Sequence, residues 1–276
     1  MKSSLTKRFP FLLPLRRFQR KLFFYIKMRF DNNRYARTML RDRLEHTVFE
    51  TKSVLVNENT GSDVVYQQNK AYNLELAAKT LNHVLIRPGE TFSFWQLVRY
   101  ADKQERYKDG LCLVDGRIVP SYGGGLCQMS NTLYWLFLHT SLTVTERHSH
   151  SIRNFPYPPG DVPEGADATV SEGWSDLKVK NNTDAAFQLC ISFDERYMHA
   201  TIRSDKEPTC GYEVFQKGLR YFRQGDQIIE RVSICRRLID KETGDVVGEE
   251  ELYENSCRIG YPIPEEMIDG DERKTA

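Results

Sequence analysis

Three patterns in this sequence predict an α+β fold: an antiparallel sheet, a helix that bears a nucleophile, and a strand-rich C-terminal third. Leu74, Ala77, Ala78, Leu81 and Leu85 recur at the spacing of a core-facing helix. A glycine triplet, Gly123 to Gly125, breaks the chain just before a second helical run over about 127–139. Beyond Phe187, strand and turn patterns repeat to the end, with no internal repeat and no low-complexity tract.

A chain of 276 residues can bury a substantial core. Its 40% apolar and 28% charged content is that of a folded globular protein and excludes disorder of the whole chain. The net charge of +1 hides an asymmetry, because residues 1–30 hold nine Lys or Arg and no acidic residue. Six cysteines in a chain of this length do not form a small disulfide scaffold, and no CxxC pair gives zinc spacing. Most are expected to be buried apolar residues. The early apolar run over 9–15 is interrupted by Pro10 and Pro14, without a convincing cleavage site. No run approaches the roughly 20 apolar residues of a membrane-spanning helix. The expected location is cytoplasmic or peripheral to a membrane, with an extracytoplasmic one left open.

Three parts follow from the patterning: a basic amphipathic arm over 1–45, a main domain over 46–205, and a strand-rich extension over 206–276. In the arm, Leu15, Phe18, Leu22 and Ile26 share one helical face, while Arg16, Arg17, Arg20, Lys21 and Lys27 cover the rest. Two readings fit equally: a helix lying on an anionic membrane surface through residues 1–30, or a helix docked on the domain with its basic face in water. No nucleic-acid partner is expected. Charges dominate over 34–44, and 46–56, rich in Thr and Val, predicts a strand. Turn chemistry at 57–63 precedes the helix over 70–85, and Arg87-Pro88-Gly89-Glu90 breaks the chain before a buried aromatic run at Phe92, Phe94 and Trp95. Residues 101–110 read as a loop, and 111–120 as a hairpin around Asp115-Gly116. After the second helix come a strand over 142–146, the run Arg147-His148-Ser149-His150-Ser151, a Pro- and Gly-rich loop over 154–165, and strand segments at 167–170 and 176–180.

The chemistry centres on Cys127. Glycines in a row serve a backbone that must turn with positive φ or lie close to another group. Here they lead into a thiol at a helix start, where unpaired N–H groups and the positive end of the dipole favour the thiolate. Such a thiol ionises below the ordinary value of about 8.5 and is nucleophilic at neutral pH. The backbone at Gly124 and Gly125, helped by the Gln128 side chain, is placed to hold an oxyanion, the requirement of acyl transfer. His148 or His150 serves as general base and Asp167 as the group that orients the imidazole. Alternation along a strand puts both histidines on one face. A zinc ion on Cys127, His148 and His150 is the competing use, but it lacks a fourth ligand and leaves the glycines without a purpose; no metal and no cofactor are expected. Arg147 offers a planar fork for a substrate carboxylate, or is a solvated strand-end residue. Asp167 and Asp176 have a second reading as turn caps, and Trp174, beside Gly173, is expected to line a pocket. His46, His83, His139 and His199 read as structural.

Pro-Gly-Glu-Thr-Phe-Ser-Phe (88–94), Gly-Gly-Gly-Leu-Cys-Gln (123–128), Glu-Arg-His-Ser-His-Ser (146–151), Asp-Ala-Thr-Val (167–170) and Asp-Leu-Lys-Val-Lys-Asn (176–181), in this order, resemble the VanW family over nearly the whole chain. The resemblance implies an accessory role in vancomycin resistance. Family members that are secreted or membrane-anchored act on cell walls, and some are regarded as L,D-transpeptidases using the glycine-flanked cysteine. For this chain it implies Cys127 as nucleophile, His150 rather than His148 as the family histidine, and a peptidoglycan precursor or stem peptide as partner. The alternative is a non-catalytic module that binds a precursor or a partner of the resistance machinery, favoured by the lack of an export signal, since cross-linking takes place outside the membrane.

Overall fold

The computed structural model describes residues 9–56, 63–114, 117–154 and 162–271. The predicted turn up to Gly61, the Asp115-Gly116 tip, most of the 154–165 loop and the first eight residues of the arm lie outside the described residues.

A 3-10 turn at Pro10–Leu12 feeds helix α1 (Leu13–Arg29), so the two prolines that interrupt the apolar run sit in a leading turn and at a helix start, where no intrahelical N–H is lost. Short strands β1 (Arg34–Tyr35) and β2 (Thr38–Met39) and the longer β3 (His46–Val54) precede α2 (Val64–Leu81). Next come β4 (Val84–Ile86), β5 (Glu90–Ser93), a short α3 (Phe94–Val98), the hairpin β6 (Asp109–Val114) and β7 (Arg117–Tyr122), then α4 (Leu126–Leu138). The remainder is strand: β8 (Thr143–Glu146), β9 (Ile152–Arg153), β10 (Lys178–Lys180), β11 (Phe187–Phe193), β12 (Tyr197–Ser204), β13 (Cys210–Gln224), β14 (Gln227–Asp240), β15 (Val246–Ile259) and β16 (Ile268–Asp271).

The strands form sheets of order β1-β5-β10-β8, β2-β4-β11-β12-β3 and β16-β13-β14-β15-β9, apart from the β6-β7 hairpin. Pairing is antiparallel except at the edges, where β1, β16 and β9 join in parallel. The class is α+β. Helix α4 packs on β3 and β12 of the second sheet, and its Leu133, Leu136 and Phe137 are completely buried. Phe137 also meets Phe92 of β5 with ring centres 5.0 Å apart, so one helix closes two sheets over a common core. Burial of such side chains, at about 25 cal/mol per Å², is what fixes the start of α4 in space. Val214 and Ile234 from the long C-terminal ribbon enter the same core.

Helix α2 starts earlier than the apolar spacing predicts and stops at Leu81, leaving Leu85 to β4. Its first turn is set by a cap, Asp63 accepting from the Val65 N–H at 3.0 Å, and exposes Val64 and Val65, so apolar periodicity misses it. Residues 167–170 are not a strand: the Ala168 N–H goes to Asn131 Oδ1 at 2.7 Å and the Thr169 N–H to the His148 carbonyl at 2.7 Å, which leaves no ladder. The strand over 176–180 shrinks to Lys178–Lys180 because the Asp176 N–H is taken by Glu146 and the Leu177 carbonyl by Phe94 N–H.

Candidate active site

The three glycines each have a use. Gly123 and Gly125 sit at φ +71° and +104°, where L side chains are strained. Gly124 lies back to back with Gly110 of β6; a Cβ on Gly124 would stand 2.2 Å from the Gly110 carbonyl. Buried Asn73 of α2 ties this contact down, donating to the Gly124 and Lys108 carbonyls at 2.9 Å each and accepting from the Lys108 N–H at 2.8 Å. Gly125 is the N-cap of α4, which puts Cys127 in its first turn, where backbone N–H groups lack intrahelical acceptors. The stem of Lys70, itself buried, rests against Gly125.

The half-buried Cys127 thiol faces three groups. Its Sγ is 3.2 Å from Thr169 Oγ1 and 3.6 Å from the Val170 carbonyl, and the His150 imidazole is its interacting charged neighbour. The His150 ring nitrogen Nδ1 is 2.8 Å from Asp167 Oδ2 and 3.0 Å from Oδ1, while the His150 backbone N–H also donates to Oδ2 at 2.6 Å. One carboxylate thus fixes both ring and backbone of the histidine. The segment carrying Asp167 is held by α4 through Ser130 Oγ on the Ala168 carbonyl at 2.6 Å and Asn131 on the Ala168 N–H.

Electrostatics follow from this packing. Burial by itself pushes the Cys127 thiol up, but the His150 hydrogen bond and charge, with the Thr169 hydroxyl, bring it below the ordinary thiol range. Burial likewise works against the imidazolium, yet Asp167 and the thiol raise His150 to about 10. Burial of Asp167 is outweighed by His150, and its carboxyl falls below the usual range. All three directions describe a thiolate and imidazolium pair backed by a carboxylate.

Other sequence candidates are placed elsewhere. His148 is turned away: its Nε2 lies 3.2 Å from Glu146 and the side chain is 45% exposed. Strand β8 ends at Glu146, so the alternation that puts both histidines on one face stops before either, and His150 lies in the irregular segment between β8 and β9 rather than on a sheet. Gln128 donates to Ser53 Oγ at 2.8 Å and the Val54 carbonyl at 2.7 Å, anchoring α4 to β3 instead of pointing to the thiol. Arg147 stacks 3.7 Å over Tyr253 and donates to the Asp167 carbonyl at 3.0 Å, so it supports the Asp167 segment. Trp174 is 63% exposed and carries the Arg20 guanidinium 4.0 Å over its ring, which ties it to α1. Asp176 is a cap, accepting from Ser93 Oγ at 2.5 Å, Trp95 N–H at 3.1 Å and Leu177 N–H at 2.9 Å; its burial pushes it up to about 7. Among the described residues, no group of three or more His, Cys, Asp or Glu is placed to hold a metal ion.

Residues that sequence reasoning missed are Thr169, as a thiol partner, and Asn73, which pins the glycine turn. Asn73 left a signal only in part: it follows Gln67 and Lys70 at three-residue spacing, and all three are polar residues buried on α2.

The VanW like protein family matches residues 69–203, the span that contains the glycine turn, Cys127, His150 and Asp167. The chain is 47% identical to the Vancomycin B-type resistance protein VanW of Enterococcus faecalis over 266 residues, 96% of this chain and 97% of that protein. It is also 37% identical over 114 residues to the uncharacterized protein YoaR of Bacillus subtilis, 41% of this chain and 36% of that one. No solved structure matches the chain significantly. With 47% identity over 96% of its length and the family match over 69–203, the chain belongs to the VanW family.

Proposed function

We propose that this protein is a vancomycin-resistance protein that acts as a cysteine-dependent acyltransferase on peptidoglycan stem peptides. The observation that carries the reading is the Cys127, His150 and Asp167 arrangement at a helix start. The resistance role is supported by the Enterococcus faecalis relative and the cell-wall substrate by the family resemblance.

In the first half-reaction the Cys127 thiolate adds to a stem-peptide carbonyl, and first-turn N–H groups of α4 receive the developing oxyanion. His150 gives its proton to the leaving amine, the C–N bond breaks, and a thioester remains on Sγ. An acceptor amine or water then loses a proton to His150 and attacks the thioester, and the C–S bond breaks to release the thiolate. Asp167 holds the ring orientation and stabilises the imidazolium throughout.

Intact-mass analysis of the purified protein with tetra- and pentapeptide donors tests the reading. The expected result is an acyl adduct on the wild type that is absent from Cys127→Ala. Binding of a stem peptide without adduct or product would instead make the protein an accessory binding module.

A further inference from the structure

Helix α1 is fastened to the domain along one face. Tyr25 donates to Glu172 at 2.9 Å, Lys21 pairs with the same carboxylate, Met28 is buried under Gln96, and Arg99 lies 4.6 Å over the Tyr25 ring. Gly173 meets the Lys21 backbone so closely that an added Cβ would stand 3.1 Å away. Docking of this face is one of the two readings the sequence allows.

The rest of the helix carries the other. Leu15, Phe18, Leu22 and Ile26 form a stripe turned about 120° from Met28, and all four are exposed. Phe11 and Phe30 extend it at both ends, each 75% exposed. Nine of the twenty exposed large apolar residues among the described residues fall within 9–30, which makes this a patch and not scatter. Arg16 and Lys27 border the patch on one side, Arg29 lies at its C-terminal end, and residues 1–30 contain no acidic side chain. No described helix is long and apolar enough to cross a membrane. A cationic rim around an aromatic and aliphatic stripe is complementary to lipid headgroups over acyl chains, and it lacks the acidic groups that would set register against a protein partner.

We infer that α1 lies in the headgroup layer of an anionic bilayer with its Phe18 and Leu22 stripe inserted. The inference is independent of the chemistry at Cys127. Its spatial result bears on that chemistry, because α1 is fastened to Glu172 and Gly173, just beyond Thr169 and Val170, so the bilayer lies beside the segment that touches the thiol.

Sedimentation of the full chain with vesicles of phosphatidylcholine, alone or mixed with phosphatidylglycerol, is the test. Binding is expected only to the mixed vesicles, falling as salt rises. Phe18→Asp with Leu22→Asp should abolish it without unfolding the domain, since both side chains are exposed. Arg16→Gln and Arg17→Gln should each weaken it about fivefold. No binding by the wild type, equal binding to neutral vesicles, or binding untouched by the Asp substitutions overturns the inference. So does a lipid-free dimer that the Asp substitutions disperse, since the face would then join two copies of the chain.

Discussion

Two thiols in this molecule show how a neighbour reverses the effect of burial. Cys127 and Cys257 are both withdrawn from water, and burial alone raises both. Beside Cys127 stands His150, whose charge and hydrogen bond reverse the shift. Beside Cys257, near the end of β15, stands the Glu230 carboxylate, 3.7 Å from the sulfur, and burial together with this charge pushes the thiol up to about 12. Arg153 lies 3.9 Å from that sulfur but is committed to Glu230, with contacts of 2.5 and 2.9 Å. The sign of the neighbouring charge, and not depth, separates the thiol that is lowered from the one that is raised.

The sharpest way to break this contrast is to remove each sulfur in turn. Cys127→Ala should abolish acyl-adduct formation, while Cys257→Ala should leave it intact when both are followed by intact mass. Equal loss in the two variants would erase the distinction. Next in size is His150→Ala. With an ordinary thiol value of about 8.5, only about 1% of Cys127 is thiolate near pH 6.5, so iodoacetamide labelling should slow roughly 100-fold there. Labelling at the wild-type rate would place the activating group elsewhere.

The same histidine links the site to stability. Its folded value, about 10, is above its ordinary one of 6.5, so its contribution is complete below about pH 6.5 and is lost as pH rises through 10. The denaturant midpoint of the wild type should therefore fall between these values more than that of His150→Ala. A parallel curve for the two would sink the linkage.

A smaller effect is expected from Glu230→Gln, which removes the carboxylate beside Cys257 and leaves Arg153 in place. The apparent value of that thiol should fall from about 12, and its labelling near pH 9 should rise about tenfold. Unchanged labelling would mean that burial alone controls Cys257. The smallest is His148→Ala, which should alter Cys127 labelling by less than about threefold because His148 faces Glu146.

The meeting of Cys127, His150 and Asp167 in the candidate site was legible because these groups are of scarce chemical type next to strong backbone punctuation. Gly123 to Gly125 announce a turn whatever packs around them, and Cys127, His150 and Asp167 are side chains whose chemistry is paired by type. The irregular path that joins them was not legible. Residues 167–170 look like a strand by composition, yet Asn131 and the His148 carbonyl take their N–H groups, a tertiary fact with no local signature. The roles of Gln128, Arg147 and Trp174 went the same way: each has a polar or aromatic end that suits a ligand, and each is used by β3, by Tyr253 and by α1. Two-residue strands such as β1 and β2 carry too few positions for a period, although Ala36 between them is completely buried. For α1, amphipathicity identified the helix but left open which face docks, since that depends on Glu172 far along the chain.

The contact between Gly110 and Gly124 makes two distant parts of the chain one mechanical body. No side chain lies between them to act as a cushion: a methyl group on Gly110 would stand 2.5 Å from the Gly124 oxygen, and one on Gly124 would be closer still to Gly110. The β6-β7 hairpin therefore has no freedom to slide relative to the first turn of α4, and Asn73 locks the pair from the side. Whatever pushes on the hairpin is felt at the sulfur, and of the thirteen residues between them all but Gly123 are free to drift so long as these two positions stay bare.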